Sequence, residues 1–217
     1  MHLLFLATVL SVKLVVQRSS LDLLDSLPIA VVVQNASPAT QSLRFIQPAE
    51  YAIQLRGVNG SVMWSTPPAP APNAPAFPAH ARVFAPGATT LAVYDWNELL
   101  ADGTSPPAGV YTLHARLVTD KPLTESTVRV TFAPPISPSS LGSLRAGEEF
   151  TLAGTLDERH AILSDRRGSA TLSQRLLAAP AGVPILLRGF ATALPGGGRV
   201  FTVERWALLS AQAASAR

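Results

Sequence analysis

The chain has 217 residues, with 17 Lys and Arg against 14 Asp and Glu, a formal net charge of +3. At roughly 150 residues per domain that length predicts one or two domains, and 47% hydrophobic residues exclude disorder of the whole. There is no Cys, which excludes thiol catalysis, disulfides and thiolate zinc sites, and the basic excess is too small to mark a nucleic-acid partner by itself.

Charged residues make up 14% of the chain, against about 25% in an average domain. A thinly charged surface suits a protein that lives among partners or at the cell envelope, and equally a GC-rich coding sequence. Location stays open, with export or the cell envelope leaning ahead of the cytoplasm.

Leu3 to Leu10 is a short apolar run. It has two readings, a signal-like segment over residues 1–12 or a first strand. Lys13 ends it well short of the roughly 20 residues a membrane-spanning helix needs. Lys13 to Gln17 and Ile29 to Asn35 read as strands rich in Val and Ile. Asn35-Ala-Ser-Pro38 is a turn, followed by a short strand through Leu43, Phe45 and Gln47. Tyr51, Ile53 and Leu55 alternate with polar or small residues, and Val58-Asn59-Gly60 turns tightly into Ser61 to Trp64.

Thr66 to Pro78 carries six prolines among Ala and Asn. Proline donates no backbone hydrogen bond, so no ladder is expected there, only a loop of polyproline II character. Strands resume at Val83-Phe84, Thr89 to Trp96, Val110 to Val118 and Thr127 to Phe132. In Val110 to Val118, Tyr111, Leu113, Ala115 and Leu117 share one face and Thr112, His114 and Arg116 the other. Short strands with turn signals between them predict a sandwich over residues 13–133.

Residues 134–144 read as a Pro/Ser-rich linker. Beyond it come strands at Glu148 to Leu156, Ala161 to Ser164, Ser169 to Leu172, Val183 to Thr192 and Arg199 to Leu209, with a short helix at Gln174 to Ala179. Five strands predict a small OB-like β-barrel over 145–211, with 212–217 a tail. Residues 1–136 hold eight basic and eight acidic groups and 137–217 nine and six, so the whole basic excess lies in the second part. The fold class expected is all-β, an immunoglobulin-like antiparallel β-sandwich followed by that barrel.

The order of short motifs in the first part carries a resemblance. Asn35 and Ser37 fit an N-x-S turn; Leu43, Phe45 and Gln47 the strand after it; Tyr51 to Leu55 a Y-D-F-x-V strand with Ala52 in place of Asp. Gly60, Val62 and Trp64 fit G-x-V-x-W, and Pro86-Gly87, Trp96 and Pro107 to Tyr111 fit a closing PG…W…PPGTY series. From about Leu14 to Phe132 the chain resembles the BsuPI-type intracellular proteinase inhibitor domain. The resemblance implies an immunoglobulin-like module that blocks a serine proteinase with an exposed loop. Family members have a shorter loop after the first Trp, with a Phe before the Pro-Gly turn; here Phe77 and Phe84 are rival matches.

The candidate partner-binding residues are therefore Pro67, Pro68, Pro70, Pro72, Phe77 and Phe84, because proline pre-sets an extended loop and lowers its ordering cost. Trp64 and Trp96, on strands, read as core between the sheets. In the second part Arg159, Arg166, Arg167 and Arg188, with Arg175, line a possible barrel groove, with Phe190, Phe201 and Trp206 as stacking platforms for single-stranded nucleic acid. Asp157, Glu158 and Asp165 among them weigh against phosphate. His80, His114 and His160 lack metal-ligand spacing, and no G-x-S-x-G, S-x-x-K or Gly-rich phosphate loop is present. No enzyme, cofactor or metal is expected. A protein partner is, with a serine proteinase foremost, an envelope adhesion role as the alternative and nucleic acid as a second alternative.

Overall fold

A computed structural model describes residues 9–66, 77–97, 99–100, 103–120, 123 and 125–209. The fold is all-β, and its contacts divide it into two compact units. The first holds Met1–Ser19, Leu27–Trp96 and Val110–Val130, the second Ser20–Ser26, Asn97–Gly109 and Thr131–Arg217. The expected domains were consecutive; the observed units are interleaved along the chain.

The first unit is an immunoglobulin-like sandwich. Its first sheet sets β3 (Leu27–Asn35) between β1 (Leu10–Val16) and β8 (Gly87–Trp96), all antiparallel. Its second runs in the order β10 (Ser126–Ala133, the first unit holding it to Val130), β9 (Gly109–Leu117), β5 (Tyr51–Arg56) and β6 (Val62–Thr66). A separate pair joins β4 (Gln41–Phe45) to β7 (His80–Phe84). The alternation read from the sequence sets the inward faces. Ile29, Val31 and Val33 of β3 are buried, as are Ile53 and Leu55 of β5 and Tyr111, Leu113, Ala115 and Leu117 of β9. Each fully buried aliphatic side chain contributes about 1.5–3 kcal/mol. Asn35 closes the turn after β3: its amide donates to the carbonyls of Ala39 and Phe84, each at 3.0 Å, and its Oδ1 accepts from the Ser37 N–H at 2.9 Å.

Of the signal-like segment, Leu10 to Val12 form the start of β1; residues 1–8 lie outside the described residues.

The second unit contains one antiparallel sheet in the order β13 (Gly168–Thr171), β12 (Ile162–Asp165), β11 (Glu149–Leu156), β14 (Pro184–Ala193) and β15 (Arg199–Leu208). The five strands are the expected ones, but they do not close into a barrel. Where closure would join β13 to β15, the described residues show a single bridge, Leu172 to Phe201, with the Ser173 N–H donating to the Phe201 carbonyl at 2.8 Å. Strands of four residues are too short to carry a ladder all the way round.

One face of this sheet buries Phe150, Leu152, Leu156, Ile185, Leu187, Ala191 and Phe201. The expected linker belongs to that core. The Ile136 N–H donates to the Thr151 carbonyl at 2.9 Å, Ser137 caps a 3-10 helix at Pro138–Ser143, and Leu141 is buried. The helix expected at Gln174 to Ala179 is absent. The Leu176 N–H donates to the His160 carbonyl at 2.9 Å, which fixes that stretch as turns, and Pro180 follows.

The other face carries Thr151 and Ala153 of β11 and Leu186 and Arg188 of β14, all buried. A strand missed in the sequence, β2 (Ser20–Asp22), pairs parallel with Thr131 to Ala133. The β14–β15 register shifts at Arg188 and Gly189, which leaves Glu204 of β15 as an extra residue. Gly189 is obligatory there, because a Cβ would lie 1.9 Å from the Thr202 carbonyl oxygen.

Candidate binding surfaces

The β5–β6 connection is a compact tip. The Gly57 N–H donates to the Ser61 carbonyl, and the Gly60 N–H to the Gly57 carbonyl, each at 2.9 Å. Asn59 Oδ1 accepts from the Ser61 N–H at 3.0 Å and from its hydroxyl at 2.6 Å. Gly60 supplies the left-handed backbone, with φ of 80°. These bonds are spent inside the turn, and Val58 stands at the apex, 89% exposed. Val62, the first residue of β6, is also exposed.

The proline-rich candidates Pro67, Pro68, Pro70 and Pro72 lie outside the described residues. Phe77 is 59% exposed, as a binding side chain would be. Phe84 is not: at 1% exposure it belongs to the core. It ends β7 opposite Gln41, its carbonyl accepts from Asn35, and the Arg82 guanidinium lies 5.7 Å from its ring centroid. Glu50 holds the start of β7, pairing with Arg82 and, at 3.3 Å, with His80, whose ring stacks on Phe45.

Trp64 of β6 and Trp96 of β8 meet edge to face with centroids 5.9 Å apart, and Tyr94 stacks on Trp64 at 5.9 Å. Trp64 lies opposite Leu55, Tyr94 opposite Ile29 and Trp96 opposite Leu27, all three buried. The aromatics therefore close the flank between the two sheets. Tyr111, also inward, has its phenol pushed up from its ordinary value by burial.

The arginines of the second unit part company. Arg159, Arg166, Arg167 and Arg175 are exposed. The carboxylates among them serve the turns. Asp157 Oδ1 accepts from the N–H groups of Ala161 and Ile162 at 2.8 and 2.9 Å, and the Ile162 and Ala161 bonds hold its carboxyl below the ordinary value. Asp165 Oδ1 accepts from Arg167 and Gly168 at 2.8 and 3.0 Å. Burial pushes its carboxyl up, but the Ser137 hydroxyl, those two N–H groups and the Arg167 charge together bring it down.

Arg188 does not line a groove. It is 6% exposed and surrounded by carboxylates. Nη2 lies 2.6 Å from Asp25 Oδ1 and 2.9 Å from Glu149 Oε2, and Nη1 lies 3.0 Å from Asp22 Oδ2. The supposed stacking platforms are core as well. Phe201 is fully buried against Phe150, their centroids 5.2 Å apart, and Trp206 packs on the same cluster. Phe190 is half-buried.

The residues around Arg188 were missed in the sequence. Ser20–Ser26 reads S-L-D-L-L-D-S. Asp22 and Asp25 close a turn: the Asp25 N–H donates to the Asp22 carbonyl at 3.2 Å, and the Asp22 N–H to Asp25 Oδ2 at 3.0 Å. Leu24 takes a left-handed conformation, φ 66°. Its carbonyl accepts from Arg205 Nη1 at 3.1 Å, and the Leu23 carbonyl accepts from the Thr151 hydroxyl. Leu21 and Leu23 are buried. Two carboxylates three residues apart between leucines were the available signal, and a buried arginine in the apolar run Pro184 to Ala191 was its counterpart.

Among the described residues no group of three or more His, Asp or Glu is arranged to hold a metal ion, and no helix is long and apolar enough to cross a membrane.

An immunoglobulin-like sandwich and, in a second unit, an open five-stranded sheet define an all-β class that hosts many unrelated functions. No protein-family model and no curated protein matches the chain. Among solved structures, one similar chain is a CARDB domain from Pyrococcus furiosus, in complex with di-metal ions. It shares 11% identity and a TM-score of 0.32 over 57% of this chain and 87% of that one. Another is the sporulation control protein Spo0M of Bacillus subtilis, at 9% identity and a TM-score of 0.35 over 85% of this chain and 75% of that one.

Proposed function

We propose that the first unit is a non-catalytic protein-binding module of the proteinase-inhibitor kind, presenting the β5–β6 tip to a serine proteinase. The observation that carries this reading is Val58, an apolar side chain 89% exposed at the apex of a turn whose polar groups are bonded within the turn. Such a tip loses little conformational freedom when it enters a cleft. Binding residues on a loop fixed by a rigid sandwich follow the usual division of labour. The BsuPI-like order of motifs supplies the target class, and Phe77, exposed just after the proline-rich stretch, is a second contact.

The test is inhibition of a panel of subtilisin-like proteinases by the purified full chain. Inhibition at micromolar concentration is expected, weakened at least tenfold by Val58→Asp with the melting temperature unchanged. Unchanged hydrolysis at that concentration removes the inhibitor reading. Full inhibition by Val58→Asp moves the site away from the tip.

A further inference from the structure

The second unit takes up a seven-residue segment, Ser20–Ser26, from a stretch of chain whose neighbours on both sides belong to the first unit. The contacts it makes are those of a bound peptide. Main-chain carbonyls of Leu23 and Leu24 accept from the side chains of Thr151 and Arg205. β2 adds a parallel strand to the end of β10. Leu21 and Leu23 are buried, and Asp22 and Asp25 reach Arg188. Recognition of extended peptides elsewhere works in this way, with main-chain pairing for affinity and alternate side chains for specificity.

Two features argue against plain core. A buried ion pair is a poor source of stability compared with apolar residues of the same volume, and its best-attested use is to fix register or a switch. Leu24 sits in a left-handed conformation that costs a non-glycine residue about 1–2 kcal/mol. Among the described residues, the charged groups facing the segment include Arg188 of β14, Arg205 of β15 and Glu149 of β11, and Glu149 shares Arg188 with it.

We propose that this face of the second unit is a recognition site for an extended peptide with two carboxylates three residues apart between leucines, and that Ser20–Ser26 is its resident, displaceable occupant. Arg188 reads the carboxylates, Thr151 and Arg205 the main chain. The resident segment is tethered, so its effective concentration is of millimolar order and it outcompetes a free peptide.

The probe is a fluorescein-labelled peptide Ser-Leu-Asp-Leu-Leu-Asp-Ser, followed by fluorescence anisotropy with the full chain. Against the Asp22→Asn/Asp25→Asn protein, whose resident segment is weakened, saturable binding is expected at least tenfold tighter than against the unaltered protein. The same peptide with Asn for both Asp residues does not bind. No saturable binding to a variant that keeps its circular dichroism overturns the proposal, as does equal binding of the Asn peptide. If that variant fails to fold, amide hydrogen exchange of the unaltered protein decides. Residues 20–26 are expected to exchange at least tenfold faster than Leu152 and Leu187; equal protection makes the segment fixed core and overturns the proposal.

Discussion

Replacing Arg188 with Met keeps the length and apolar stem of the side chain and removes its charge. The structure allows the cost to be apportioned. Arg188 and Asp25 both have side chains 7% exposed, 2.6 Å apart, so the variant takes the guanidinium away from beside a buried carboxylate. Breaking such a pair from one side costs about 3–5 kcal/mol. The other two arms add little. Asp22 and Glu149 are 39% and 59% exposed, and exposed pairs contribute only about 0.2–1 kcal/mol each. At about 2–4 °C per kcal/mol for a chain of this size, the midpoint should fall by about 6–20 °C. Differential scanning calorimetry at pH 7 measures it. The double variant Arg188→Met/Asp25→Asn should regain at least half of the loss. Asn is neutral and keeps an oxygen for the Asp22 N–H, which now goes to Asp25 Oδ2 at 3.0 Å. A single variant within about 1 kcal/mol of the unaltered protein would refute the reasoning, because the pair would then behave as a solvated surface bridge.

Three further outcomes follow from single groups. Gly189→Ala should destabilise by about 1–3 kcal/mol or more in urea titration, because its Cβ would meet the Thr202 carbonyl oxygen at 1.9 Å and backbone cannot swing aside. Asn35→Ala should cost about 1–3 kcal/mol by the same assay, since it strips the buried Phe84 carbonyl of its donor; Asn35→Asp, an acceptor placed against that carbonyl, should cost more. Asp157 has a carboxyl lowered in the folded state, so its stabilising contribution is present above the ordinary value of 3.8 and lost as pH falls through the folded value. The gap in urea midpoint between the unaltered protein and Asp157→Ala should therefore be widest near neutral pH and narrow in acid. A gap that widens in acid would reverse that sign.

Strands with a two-residue period were legible in the sequence, because one face of each meets a core. Tyr111 to Leu117 of β9 show this most plainly, with four alternate residues buried. The turn chemistry was legible too, with Asn35 and Gly60 where the backbone requires them. What escaped was non-local. β2 has three residues, too few to show a period, and its partner strand lies more than a hundred positions away. Arg188 was read as groove lining because charge ordinarily goes to the surface; an arginine in the apolar run Ile-Leu-Leu-Arg-Gly hints at burial but does not say which carboxylates, from two other segments, meet it. Phe84 was read as the start of a strand and also offered as a partner contact at the end of the proline-rich loop, whereas pairing of β4 with β7 draws it inward. Closure of the barrel was inferred from strand number, which does not determine it.

The edges of the sandwich decide which kind of partner contact the first unit favours. An immunoglobulin-like module can bind by adding a strand to an open edge or by presenting loops. Three of its sheet ends, β1, β8 and β6, are each interrupted. On β1 the Leu14 N–H donates outward to the Ser126 hydroxyl at 2.8 Å, which uses a group that an incoming strand would need. On β8 the register shifts opposite Val31 and Val32, leaving Leu91 as an extra residue; on β6 it shifts opposite Leu55 and Arg56, leaving Met63. Bulges twist an edge and break the run of free donors and acceptors, a common defence against unwanted strand pairing. Strand addition is thus disfavoured at all three. The β5–β6 tip has no such defence, and it carries its most exposed apolar side chain at its apex, which is why loop presentation is the mode proposed for this unit.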